Sequence, residues 1–183
     1  MKRLPAEGGV SAARSPRGDK FINLAPPGTS TAVLATRSTG MEDRIVNVLL
    51  VEDDEVDIMN VKRAFKRNNI SNPLYVAGNG IEALEMLRGT GSDSSALPHS
   101  RRIVLLDINM PKMNGIEFLQ ELRQDEELRS IPVVVLTTSD EDQDRVEAYR
   151  LNVAGYILKP VTFTNFAEVM AALNKYWALC EIP

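Results

Sequence analysis

Four clusters of polar side chains in this 183-residue chain could handle a phosphoryl group, and each stands at the end of an apolar run. Glu52-Asp53-Asp54 follows VNVLLV, and Asp107 follows RIVLL. Thr137-Thr138-Ser139 follows IPVVVL, and Lys159-Pro160 follows AGYIL. Carboxylates brought together repel and raise one another's pKa unless a cation neutralises them. Hard, oxygen-only ligands of this kind suit Mg²⁺, which takes one or two carboxylates plus a phosphate and keeps several waters. A lysine ammonium and a threonine hydroxyl opposite them could hold phosphoryl oxygens. A site so built would accept a phosphoryl group on a carboxylate, with metal and ammonium sharing the charge of the transferring group. Taken singly, each cluster is ordinary: acids after a strand are usually solvated, and a lone lysine usually lies at the surface. Their chemistry depends on the elements that gather them.

Those elements are legible from Val46 onward. Short apolar runs at 46–51, 73–77, 102–108, 131–138 and 154–159 predict strands. Between them lie amphipathic stretches. One carries Ile58, Val61 and Phe65; the next opens at Asn79-Gly80 with Ile81, Leu84 and Leu87; the third opens at Asn114-Gly115 with Ile116, Leu119 and Leu122. Ser139 is placed to cap an acidic helix start, DEDQDRVEAY, and a last helix carries Phe163, Phe166, Val169, Met170, Leu173 and Trp177. Near-continuous apolar strands alternating with helices imply an α/β fold: an open, doubly wound, five-stranded parallel sheet covered on both faces by five helices. Such sheets bind ligands beyond the strand carboxyl ends, where the strand order reverses. If the first and third strands are neighbours, Glu52, Asp53 and Asp107 converge there.

Composition removes other chemistries. One Cys, Cys180, rules out a disulfide within the chain and makes the cytoplasm the default compartment. One His, His99, excludes a multi-histidine metal site. A Ser-His-Asp triad would have to use that His99, in the polar stretch GSDSSALPHS. No apolar run approaches the ~18 residues needed to cross a membrane. Residues 1–44 hold seven basic and four acidic side chains, and the remainder fourteen basic and twenty-one acidic. The acidic part argues against gripping a nucleic-acid backbone. Residues 1–44, rich in Pro, Gly, Ser and Ala, read as a disordered tail or as sequence ahead of a start at Met41.

VEDDE, LLDINMPKMNG, VVLTTS and YILKP, in this order and spacing, resemble the receiver domain of two-component response regulators. The resemblance covers residues 45–178, leaving 179–183 as a tail. It implies the flavodoxin-like strand order 2-1-3-4-5 and assigns roles. Asp107 would be the phosphoacceptor for a sensor histidine kinase. Asp53 and Asp107 would bind Mg²⁺ directly, Glu52 through water, and Asn109 through its main-chain carbonyl. Lys159 would pair with the phosphoryl group, Thr137 would move toward it and Tyr156 would turn inward. The Lys159–Pro160 bond would be cis. Thr138 stands where a smaller residue is common, and Asn109 and Ser139 fall at positions that tune phosphoryl lifetime. Neither carries a charge to orient water, which implies a moderate-to-long-lived phosphate.

The long loop before the third strand, IPVVVLTTS, YILKPV and the Tyr176-Trp177…Ile182-Pro183 ending further resemble stand-alone regulators partnered with bacterial phytochromes. That implies a phytochrome-like kinase partner, no output module after the receiver, and a signal carried by protein contacts rather than by enzymatic turnover. The apolar stretch ALCEIP suggests surplus hydrophobic surface and a homodimer through helix 4, strand 5 and helix 5. Two alternatives keep the fold: an interaction module working without phosphate, and a relay that passes phosphate to a histidine phosphotransfer protein. A dinucleotide-binding enzyme or P-loop NTPase would need a glycine-rich loop where Glu52-Asp53-Asp54 stands. An aspartyl-phosphate phosphatase would need a second Asp at Asn109.

Overall fold

The computed structural model describes residues 45–90 and 97–183. The expectations placed on residues 1–44, and those on 91–96 within the loop before the third strand, lie outside the described residues.

Strands and helices alternate in the order β1 (Asn47–Val51), α1 (Glu55–Arg67), β2 (Leu74–Ala77), α2 (Gly80–Arg88), β3 (Arg102–Leu106), α3 (Gly115–Gln124), β4 (Val133–Thr137), α4 (Asp142–Arg150), β5 (Gly155–Leu158) and α5 (Phe163–Leu179). The strands form one parallel sheet in the order β2-β1-β3-β4-β5. The central strands β1, β3 and β4 are buried at every position, and the edge strands β2 and β5 are mostly half-buried. Central strands need apolar residues on both faces because helices cover both.

Side chains alternate across the sheet with the period of two that a strand imposes. Leu49, Val51, Val104, Leu106, Val133 and Val135 pack with Leu84 and Leu87 of α2, Phe118 and Leu122 of α3 and Ala148 of α4. Val48, Leu50, Ile103, Leu105, Val134 and Leu136 pack with Val61 and Phe65 of α1 and Phe166, Met170 and Trp177 of α5. Parallel crossovers are right-handed, so the reversal of direction after β2 places α1 and α5 on one face and α2, α3 and α4 on the other. The reversal opens a crevice between the carboxyl ends of β1 and β3.

Several helix starts are set by side chains that accept orphan backbone N–H groups. Asp54 caps α1, accepting from Val56 N (2.7 Å) and Asp57 N (3.0 Å). Asn79 caps α2 and Thr162 caps α5. Asn114 and Glu117 form a reciprocal capping box on α3. Gly89 closes α2 in the left-handed conformation, φ 70°, where a side chain would be strained.

Four expectations are corrected. Ser139 does not cap α4. Its N–H turns back to Thr137 Oγ1 (3.2 Å), the helix starts later with Glu141 at its N-cap, and the Ser139 hydroxyl donates to Asp144 Oδ2 (2.7 Å). Ile81 is exposed because Gly80, Ala83, Leu84 and Leu87 make up the inward stripe of α2. The Lys159–Pro160 peptide is trans, as are the other described peptides; trans is intrinsically favoured even before proline, by about 0.5–1 kcal/mol. The stretch ALCEIP is not uniformly surplus surface. Ile182 is buried in the α1–α5 core layer, and Pro183 O accepts from Arg101 N (2.9 Å), while Leu179 stays exposed.

Candidate functional site

The carboxyl ends of β1, β3, β4 and β5 carry the polar residues singled out in the sequence. Sheet hydrogen bonding continues one residue past each strand and fixes the backbone there. Glu52 N donates to Ala77 O (2.9 Å), Asp107 N to Val51 O (3.0 Å) and Lys159 N to Thr137 O (2.8 Å). The strands therefore aim Glu52, Asp107 and Lys159 into the same crevice.

Glu52 and Asp107 are buried, at 3% and 4% exposure, whereas Asp53 is exposed. One carboxylate oxygen from each of the three lies within 4.8 Å of the others. Lys159 faces them. Its Nζ donates to Glu52 Oε2 (2.7 Å) and Asp57 Oδ2 (2.7 Å), and lies 3.2 Å from Asp107 Oδ1. That last approach is an ion pair without hydrogen-bond alignment. Asp107 Oδ1 is buried with no hydrogen-bond partner among the described residues. Its sister oxygen, Oδ2, accepts from Asn109 N (2.7 Å). One oxygen of Asp107 is thus fixed and the other is left unsaturated.

The electrostatics follow from this crowding. Burial raises the Glu52 carboxyl above its ordinary value, against the hydrogen bond and charge of Lys159, which pull it down. Burial acts to lower Lys159, but the hydrogen bonds it donates to Asp57 and Glu52 and the charges of Glu52 and Asp107 overcome it, and its pKa is raised. The carboxylates thus favour the charged form of Lys159, and they outnumber it. Three carboxylates gathered within 4.8 Å, all hard oxygen donors and two of them buried, fit a hard divalent cation. Glu52, Asp53 and Asp107 are the side chains placed to hold one.

The β3–α3 loop is held close to Asp107 by backbone contacts. Gly115 N donates to Ile108 O (2.9 Å), and a Cβ built on Gly115 would lie 2.4 Å from Asp107 O. Only glycine allows this approach. Thr137 is fully buried, with Oγ1 accepting from Ser139 N, and Thr138 and Asn109 are exposed. Tyr156 is half-buried against the α2–α4 core layer, and its hydroxyl donates to Ser139 O (3.0 Å). Burial raises the Tyr156 pKa, against that hydrogen bond. Beside the crevice, a cleft of about 530 Å³ is lined by Asn109, Met110, Asn114, Glu117, Asp144 and Glu147 among others. It includes none of Glu52, Asp53, Asp107 or Lys159.

Asp57 is the site residue that the sequence reading missed. A signal was present. Asp57 lies four residues before Val61 and seven before Ala64, on the stripe that α1 turns inward. An acid at such a register is turned toward the sheet's carboxyl edge, and here it meets Lys159.

Residues 48–171 match the response regulator receiver domain family. The chain belongs to that family. Among its relatives, the probable methanogenesis regulatory protein FilR2 of Methanothrix harundinacea is 38% identical over 71% of this chain and 82% of its own. The phosphorylated cyanobacterial phytochrome response regulator RcpA has a similar crystal structure, with a TM-score of 0.68 and 30% identity over 76% of this chain and 99% of that one. The Mn²⁺-bound form of response regulator Rcp1 gives a TM-score of 0.67 and 31% identity over 75% of this chain and 99% of that one. This receiver therefore shares its fold and strand order with response regulators, and no described helix is long and apolar enough to cross a membrane.

Proposed function

We propose that this receiver is a single-domain response regulator of the cytoplasm that accepts a phosphoryl group on Asp107 from a sensor histidine kinase in a Mg²⁺-dependent reaction. The observation that carries the reading is Asp107 Oδ1: buried, without a hydrogen-bond partner among the described residues, and 3.2 Å from a lysine ammonium. An oxygen left unsaturated at that cost is poised to form a bond. Asp107 Oδ1 attacks phosphorus as the P–N bond to the kinase imidazole breaks. The imidazole keeps the bonding pair, takes a proton and leaves. Asp53, Asp107 and the Asn109 carbonyl, with Glu52 acting through water, would hold Mg²⁺, which would supply charge neutralisation to the transferring group.

The chain's own residues do the rest. The Asn109 N–H holds Oδ2 and so orients the carboxylate. Lys159 supplies positive charge to phosphoryl oxygens. Thr137, now turned to Ser139 N, exchanges that contact for a phosphoryl oxygen, and the β4–α4 segment and Tyr156 follow. Phosphorylation biases a pre-existing equilibrium between these arrangements. Asn109, Thr138 and Ser139, uncharged around the site, give the phosphate a moderate-to-long lifetime.

The relation to a phytochrome response regulator supports a phytochrome-like kinase as the partner. Exposed Val146 and Tyr149 on α4, Leu158 on β5 and Tyr176 and Leu179 on α5 support a homodimer through those elements.

The test is exposure of the purified protein to a small acyl-phosphate donor with Mg²⁺, followed by intact mass measurement. The expected result is one phosphoryl adduct that is absent in Asp107→Asn and without Mg²⁺. A wild-type protein that takes no adduct contradicts the reading and leaves an interaction module working without phosphate.

A further inference from the structure

Lys159 carries three N–H donors, and the structure shows where two of them go. Both short contacts, at 2.7 Å, run to Glu52 and Asp57. The approach to Asp107 Oδ1 is longer and misaligned, and that oxygen has no hydrogen bond among the described residues. As long as the ammonium sits between Glu52 and Asp57, its two short contacts go to them and its approach to the phosphoacceptor stays at 3.2 Å. A short, aligned contact with a group on Asp107 draws the ammonium away from one of these two partners. The partners differ in burial. The Glu52 side chain is 4% exposed and would be left as an unpaired buried charge. The Asp57 side chain is 30% exposed and would regain water. Asp57 is also anchored independently, since its backbone N–H is held by the Asp54 cap at the start of α1.

We propose that Asp57 is a positioning residue that latches Lys159 in the idle state, and that release of the Asp57–Lys159 contact is a step in switching. The proposal deepens the phosphoacceptor reading and rests on it for its consequence. The latch gives α1 a direct connection to the phosphoryl site, because its first turn supplies the partner that the lysine leaves.

Two measurements on the full chain test it. The first needs no phosphoryl chemistry. In a ¹H–¹⁵N spectrum of side-chain ammonium groups, Lys159, assigned by comparison with Lys159→Arg, should give a resonance protected from solvent exchange. Asp57→Asn should remove that protection, and Asp57→Glu should retain it. A Lys159 resonance unchanged in Asp57→Asn, or unprotected in the wild type, overturns the proposal. The second measurement is calorimetric titration with beryllofluoride, a phosphoryl mimic, at saturating Mg²⁺. Asp57→Asn should bind it roughly fivefold more tightly than the wild type, the loss of a partly exposed ion pair of about 1 kcal/mol. Asp57→Glu should stay within about twofold of the wild type, as a restored pair of this kind requires. Equal or weaker binding by Asp57→Asn overturns the latch. Failure of the wild type to bind beryllofluoride contradicts the phosphoacceptor reading instead, and the ammonium spectrum then decides the latch by itself.

Discussion

Lys159→Met tests how the buried cluster is held together. In the wild type one ammonium faces Glu52 and Asp57 at 2.7 Å and Asp107 at 3.2 Å, with its own side chain only 8% exposed. Methionine of similar length removes the charge and leaves Glu52 and Asp107 buried without it. Breaking a buried pair from one side costs about 3–5 kcal/mol. Asp57 can rehydrate, so the low end applies, about 3 kcal/mol. For a domain of this size that lowers Tm by about 10 °C. The pH dependence has a definite sign. A raised lysine contributes stability fully below its unfolded value of 10.5, so the wild-type pairing is intact from pH 5 to 7. A raised carboxyl binds its proton more tightly in the folded state, so stability falls as pH rises from 4.5 through the folded value of Glu52. Without Lys159 that folded value rises further. The variant's deficit should therefore be larger at pH 7 than at a pH below the folded value of Glu52, where that carboxyl binds its proton. Mg²⁺ should stabilise the variant more than the wild type, because it binds a more negative cluster. Urea unfolding read by the buried Trp177 measures each quantity. A loss below about 1 kcal/mol, the scale of an exposed pair, would refute the reasoning, as would a loss that does not shrink as pH falls.

Further outcomes follow from neighbouring contacts. Gly115→Ala puts a methyl 2.4 Å from Asp107 O and 2.8 Å from Ile108 Cα, both main chain, so the loop must move. It should cost about 3 kcal/mol in urea unfolding and slow phosphoryl uptake, and a stability near wild type would mean that the loop adapts freely. Arg123, whose pKa burial lowers, donates to the carbonyls of Leu151, Arg129, Ile131 and Asn152. Arg123→Lys cannot span that set, and should lose about 2 kcal/mol with faster amide exchange at the end of α4. Unchanged exchange there would show that α4 is held by its apolar contacts alone.

What could be read without the structure was whatever depends on local pattern. Runs such as VNVLLV and RIVLL must be covered on both faces, and helical stripes between them dictate a parallel sheet. The residues at the strand ends followed at once, because a strand end is a sequence position. Asp107, Glu52 and Lys159 sit in one crevice because β1 and β3 are neighbours and β5 lies beyond β4, a matter of strand order that periodicity does not encode. The resemblance supplied that order. Errors arose where a residue had several partners within reach. Ser139 had the chemistry of a helix cap, but Thr137 and Asp144 took its groups. Ile182 was apolar near the end of the sequence, and its burial depends on where the segment after α5 folds back near Arg101. Asp57 shows the limit most clearly. The register of α1 placed an acid on an inward stripe, but its partner lies 102 residues away, and only the fold, which brings the lysine after β5 to the first turn of α1, sets the two 2.7 Å apart. Sequence determines which faces are apolar and which chemistries are available, because those follow from residue type and spacing. Tertiary structure decides which polar groups share one ammonium, because that depends on distances of a few tenths of an ångström between segments far apart in the chain.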